Sequence, residues 1–294
     1  MMPSQTSRVA SLARSLLSAL REALTRWRLV VIWIVMTLVP TGIACLPFGR
    51  LLASRLDQST QSIAWAEGQD LGFMVDLYHS IHAEIPLLVA NLQFSAAVTL
   101  LLLPFLTGMV VGAARAGRAQ GYVALIQSGI AEYGRMLRML IWSAFPLGLT
   151  VWTARALNSW VARHGESAVL ETEVNQERIF ALVLVAILFV LVHASLEAGR
   201  AQFALGSRSA IGAWMRGVRL LVRRPLAAIG AYVIITAAGL GLIGLVGLAR
   251  IHLSDAAFPG FVAGVVITQV IAAIAVLMRA VRLNAYVELG RSAV

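Results

Sequence analysis

The chain has 294 residues, 59% of them hydrophobic and 13% charged, with 24 Arg, no Lys, 14 acidic side chains and a formal net charge of +10. That apolar fraction, with a mean hydropathy of +0.82, exceeds what a water-soluble core absorbs and excludes an ordinary soluble domain. The Arg residues border apolar stretches instead of gathering on one face, which sets aside nucleic acid as a partner despite a pI near 11.2; one Cys leaves no disulfide framework and no multi-Cys metal site.

The first element expected is an amphipathic helix over 8–27, with Val9, Leu12, Leu16, Leu20, Leu24 and Trp27 opposite Arg8, Arg14, Arg21, Glu22 and Arg26. A first span follows at 29–48. It is read as a retained helix and not a cleaved signal peptide, because it is long enough to cross and further spans follow. Cys45 within it is read as a buried thiol. The loop 49–85 carries Asp76, His79 and His82, but Asp76 and His82 diverge by about 120° on a helix, so a metal site is not expected there.

The second span is placed at 86–112, with Asn91 and Gln93 as hydrogen-bonding side chains and Pro104 permitting a bend. A second amphipathic segment over 120–138 sets Tyr122, Val123, Ile126, Ile130, Tyr133 and Leu137 against Gln127, Glu132, Arg135 and Arg138. It leads into a third span at 136–157, which contains Pro146, and the fourth span follows at 179–198. Near the end of the fourth, His193 and Glu197 stand one helical turn apart and close to Arg200, the best candidates for a polar site. The third amphipathic segment, 203–222, opposes Phe203, Ile211, Trp214, Met215 and Val218 to Arg208, Arg216 and Arg219.

Spans five and six are expected at 226–249 and 259–281. Gly239, Gly241, Gly244 and Gly247 in the fifth, and Gly260, Gly264, Thr268 and Ala272 in the sixth, are read as packing surfaces for neighbouring helices. Gln269 joins the few uncharged polar side chains expected to hydrogen-bond between spans.

The expected fold is therefore all-α: a polytopic membrane bundle of six transmembrane helices plus three amphipathic helices on the cytoplasmic side, in a single membrane domain. Placing the N-terminus inside puts eighteen Arg on the cytoplasmic side and six outside, so both termini are expected in the cytoplasm, most simply at a bacterial inner membrane. Gly117-Arg118-Ala119-Gln120 recurs as Gly199-Arg200-Ala201-Gln202. With the spacing of the spans, this suggests a threefold repeat with units of about 8–112, 117–198 and 199–282.

Arg21-Glu22-Ala23-Leu24 leading to Trp27, Leu46-Pro47-Phe48, Leu56-Asp57 with Ser59, Gly68 with Asp70, and Phe105-Leu106-Thr107-Gly108 resemble a family of uncharacterised six-span bacterial inner-membrane proteins. The broader plan is similar to the membrane domain attached to some glycerophosphodiester phosphodiesterases. The resemblance implies a fold and a location, and brings no activity.

No phosphate-binding loop, nucleophile elbow, paired zinc-binding His or intramembrane Asp couple is present, so neither an enzyme nor a cofactor is expected. The expected function is a non-enzymatic membrane protein that handles a lipid or other amphiphile or scaffolds an envelope complex. Arg118, Arg135, Arg138, Arg200, Arg208, Arg216 and Arg219 are the candidate contacts to lipid headgroups or a partner. The alternative is the permease subunit of an ATP-driven exporter, partnered by a separate ATPase.

Overall fold

The structure, a computed structural model, describes residues 25–56, 75, 79, 82–165, 171–252 and 258–292. The amphipathic segment at 8–27 lies almost wholly outside these residues, as do Asp76 and much of the loop 49–85. Seven α-helices and no strand occur among the described residues: α1 Trp27–Leu56, α2 Ile85–Ala116, α3 Tyr122–Gly165, α4 Glu171–Ala204, α5 Ala210–Arg223, α6 Pro225–Ile251 and α7 Phe258–Arg291. All but α5 are long and apolar enough to cross a membrane, which makes this a multi-pass membrane protein.

The segment 120–138 is not a separate helix. It is the first part of α3, whose 44 residues extend about 66 Å, roughly twice the hydrocarbon thickness. The segment 203–222 is instead divided. Phe203 closes α4, Gly206 turns the chain at φ 96, and Ser209 caps α5 by accepting from Gly212 N–H at 3.3 Å. Bonds from Gly206 N–H to Phe203 and from Ser207 N–H to Gln202 complete a Schellman termination. Pro225 then ends α5, because it can start a helix but has no N–H with which to continue one. No proline stands at the matching point of α3, which runs on unbroken.

The helices pair as hairpins, α1 with α2, α3 with α4, and α6 with α7, joined at one end through 116–122 and 204–225. We call this the junction end and the opposite one the tip end. Among the described residues, every buried hydrophobic side chain except Val161 and Ala181 lies in the junction half, from Leu29, Ile32 and Trp33 on α1 to Val276 and Val287 on α7. The tip halves expose Leu46, Leu92, Phe94, Phe145, Trp152, Phe180, Leu182, Leu245 and Ile251.

Local polar bonds hold the α1–α2 hairpin together. Pro47 leaves the carbonyl of Ile43 without its helical donor, and Asn91 of α2 supplies one, Nδ2 to O at 2.6 Å. Ser95 donates to Pro40 O at 2.6 Å. Two packing expectations need correction. Gly239 does abut Met278 of α7, but Gly241, Gly244 and Gly247 have no neighbour within 4 Å of a Cβ and face outward. Cys45, expected to be buried, is exposed on α1.

Candidate functional site

Two carboxylates are buried in the junction half, each between arginines from different helices. Glu132 of α3, 2% exposed, accepts from Arg115 of α2 at 2.6 Å and from Arg135 at 3.0 Å. Arg115 also donates to the carbonyl of Phe203 at the end of α4, at 2.8 Å. One guanidinium thus ties α2, α3 and α4 together where the hairpins join. A fork of five N–H donors suits this task, and an ammonium could not span it.

Glu197 of α4 is fully buried. It accepts from Arg200 at 2.7 Å, one turn along the same helix, and lies 3.8 Å from Arg279 of α7. Arg282, one turn beyond Arg279, donates to Thr236 at 3.1 Å, and its guanidinium lies 5.3 Å from the ring centre of Tyr232. Arg279 packs likewise on Trp33, at 5.5 Å. His193 bonds through Nδ1 to the Tyr232 hydroxyl at 2.9 Å. Glu197 Oε2 and Arg282 Nε are buried with no hydrogen-bond partner among the described residues.

The structure therefore places His193, Glu197 and Arg200 in one polar cluster, and adds Arg279, Arg282, Tyr232 and Trp33 from three other helices. Sequence reasoning did not single these four out, nor Glu132 as a buried centre. A signal was present: of 14 acidic residues, only Glu22, Glu132, Glu197 and Glu288 fall within the Arg-rich segments. A carboxylate set against the prevailing charge is a candidate for pairing inside the bundle.

The candidate headgroup residues divide in two. Arg118, Arg138, Arg208, Arg216 and Arg219 are exposed. Arg135 and Arg200 are engaged by Glu132 and Glu197. The two copies of Gly-Arg-Ala-Gln also differ in setting: Gly117 ends α2 in the left-handed region at φ 64, whereas Gly199 lies inside α4 beneath Trp214.

The helix α5 has three distinct sides. Ala213, Gly217, Leu220 and Leu221 are buried, with Gly217 set directly against the backbone of Gly199 and Ala198. Trp214 anchors this contact by donating to Ser195 at 3.0 Å and meeting Trp142 edge-on at 5.7 Å. Ile211, Met215 and Val222 form an exposed apolar side together with the half-buried Val218. Arg216, Arg219 and Arg223, all exposed, project from the third. On a 100° wheel the apolar and Arg sides are centred about 100° apart, so both can be satisfied at a boundary between hydrocarbon and water.

Six spanning helices, charged side chains paired inside the bundle and an amphipathic helix at its junction end define a polytopic helical integral membrane protein. No family model, curated protein or solved structure matches the chain.

Proposed function

We propose that this is a non-enzymatic component of a bacterial inner membrane that handles a lipid or another amphiphile, with its junction end and both termini in the cytoplasm. The observation that carries the reading is the three-sided α5. Its apolar side stands ready for acyl chains, its Arg side for anionic headgroups, and its third side is fixed to α4 through Gly217. Each Arg near an anionic surface contributes about 1 kcal/mol of attraction. The first turns of α3 repeat the plan, with Leu125 and Gly129 buried, Val123, Ile126 and Ile130 exposed, and Arg138 outward. The Arg distribution supports the orientation, because fifteen of the 21 Arg among the described residues lie toward the junction end.

The same comparison supports an internal repeat, in a register 86–89 residues apart. Gly112 packs against Ser128 across α2 and α3, as Gly199 packs against Gly217 across α4 and α5. Helix ends at Gly165 and Ile251, and at Ala204 and Arg291, keep nearly the same interval. In the sequence the expected amphipathic segment at 8–27 precedes the first hairpin in the same order, and the six-span family resemblance is retained as part of this proposal.

Native mass spectrometry of the purified chain tests the function. Retained anionic lipid should fall when Arg138, Arg208, Arg216 and Arg219 are replaced together by Gln, with Arg135 left intact because it pairs with Glu132. Unchanged retention refutes a headgroup role for these side chains. Recovery of a stoichiometric ATPase from the native host would instead identify a permease subunit.

A further inference from the structure

The cluster around Glu197 carries more positive charge than its own carboxylate balances. Arg200, Arg279 and Arg282 face one Glu, an excess of two charges before His193 is counted. The other buried carboxylate, Glu132, is already taken by Arg115 and Arg135. Ring faces at Trp33 and Tyr232 soften the burial of Arg279 and Arg282 but supply no counter-charge. An unbalanced charge in the membrane half of a bundle is costly, and such groups gather where a ligand or ion completes them.

A crevice reaches two of these guanidiniums from outside. It runs between four helices and is lined by Leu103, Pro104 and Thr107 of α2, Met136 and Leu140 of α3, Arg200 of α4 and Arg279 of α7. Its volume is about 20 Å³, room for one water-sized group. Apart from Thr107 its walls are apolar, and its only charges are the two guanidiniums, whose side chains are 12% and 21% exposed. Glu197 Oε2 and Arg282 Nε, both buried without hydrogen-bond partners among the described residues, lie in the same cluster.

We propose that this crevice is an oxyanion site for a phosphomonoester, one of whose oxygens enters between Arg200 and Arg279. The fork geometry of two guanidiniums matches such an oxygen, and a phosphomonoester carries about −1.5 to −2 at neutral pH, close to the excess it would meet. The apolar walls leave the rest of the ligand against hydrocarbon. The proposal rests on the amphiphile reading only for the source of the phosphate, a lipid headgroup or free phosphate.

The test uses the full chain in nanodiscs of phosphatidylcholine, either doped with phosphatidic acid or titrated with inorganic phosphate, with binding read by native mass spectrometry and calorimetry. The expected result is preferential capture of at least one of the two, weakened tenfold or more by Arg279→Gln. Glu197→Gln should do the reverse and tighten binding, because it removes the carboxylate that competes for the same guanidiniums. A purely structural cluster offers no reason for that gain. The double variant E197Q/R279Q keeps the parent's excess of two charges and reports whether a loss reflects misfolding: it should run as a folded species on gel filtration and still bind weakly. Capture of neither ligand by the unaltered chain overturns the site, as does wild-type affinity in folded R279Q. Capture of phosphate without phosphatidic acid supports the site while removing it from the amphiphile reading. Loss of lipid in the surface-Arg variant alone, with R279Q unaffected, overturns the site and leaves the amphiphile reading standing.

Discussion

Replacing Gly217 by Ala should detach α5 from α4. A Cβ at Gly217 would stand 2.5 Å from the backbone nitrogen of Gly199 and 2.9 Å from both Ala198 C and Gly199 Cα. These are backbone atoms within a helix, so no rotamer change relieves the contact. Ordinary van der Waals separation begins near 3.4 Å, and the helices must therefore part by about 0.9 Å. Overpacking of this kind costs about 1–3 kcal/mol. If the shift also breaks the bond from Trp214 to Ser195, a further ~1 kcal/mol is lost. The expected destabilisation is about 2–4 kcal/mol, against which the better helix propensity of Ala returns about 1 kcal/mol.

Gly212→Ala is the matched control, because it lies on the same helix and its nearest neighbour is Ser209 Cβ at 3.6 Å. It should be neutral or slightly stabilising. The assay is denaturant unfolding of the detergent-solubilised chain, followed through tryptophan emission, with the Trp142–Trp214 pair as a local reporter. Folded G217A should also retain less anionic lipid although every Arg is intact, since Arg216 and Arg219 would no longer be held at a fixed depth. Equal midpoints for G217A and G212A, or an emission spectrum identical to the parent's, would refute the close-packing argument.

Two further predictions concern the tip half and the orientation. Asn91→Leu should cost about 0.6–2 kcal/mol, the range for hydrogen bonds between membrane helices, but only while Pro47 is present. In a Pro47→Ala background the helix supplies its own donor to Ile43, so a double-mutant cycle should show the Asn91 penalty shrinking toward zero; an undiminished penalty would place the role of Asn91 elsewhere. For the topology, a Cys45→Ser chain carrying Ser209→Cys should react with a membrane-impermeant maleimide only from the cytoplasm, and one carrying Ser159→Cys only from the far side. Labelling of both positions from the same side would contradict the helix order as well as the charge rule.

The six spans were legible because apolar length and charged borders are local properties. Stretches read at 86–112 and 226–249 became helices Ile85–Ala116 and Pro225–Ile251. The fate of the amphipathic segments depended on single residues. Pro225 separates α5 from α6, while α3 has no such break and absorbs its amphipathic turns into one long helix. His193 and Glu197 could be paired from sequence because they are four residues apart. Arg279 and Arg282 could not be added, because 82 residues separate Glu197 from Arg279 and only the packing of α4 against α7 brings them together. The glycines show the same limit. Composition marks four in α6 as small, and only the position of Met278 decides that Gly239 alone is covered.

The concentration of the core at the junction end follows from what can hold helices together in lipid. Apolar side chains gain nothing by leaving acyl chains for one another, so association depends on close backbone approach and on polar groups with no better partner. At the junction half both are abundant: Gly199 against Gly217, Gly112 against Ser128, Glu132 and Glu197 between arginines, Arg26 donating to Asn284 at 3.0 Å and Tyr286 donating to Ala228 O at 3.2 Å. In the tip half Asn91 and Ser95 bond α2 to α1, Gly165 packs on Val174 in the α3–α4 hairpin, and Gly239 and Gly264 serve the α6–α7 hairpin. Each hairpin is therefore braced internally, while the attachment of one hairpin to the next is concentrated at the junction.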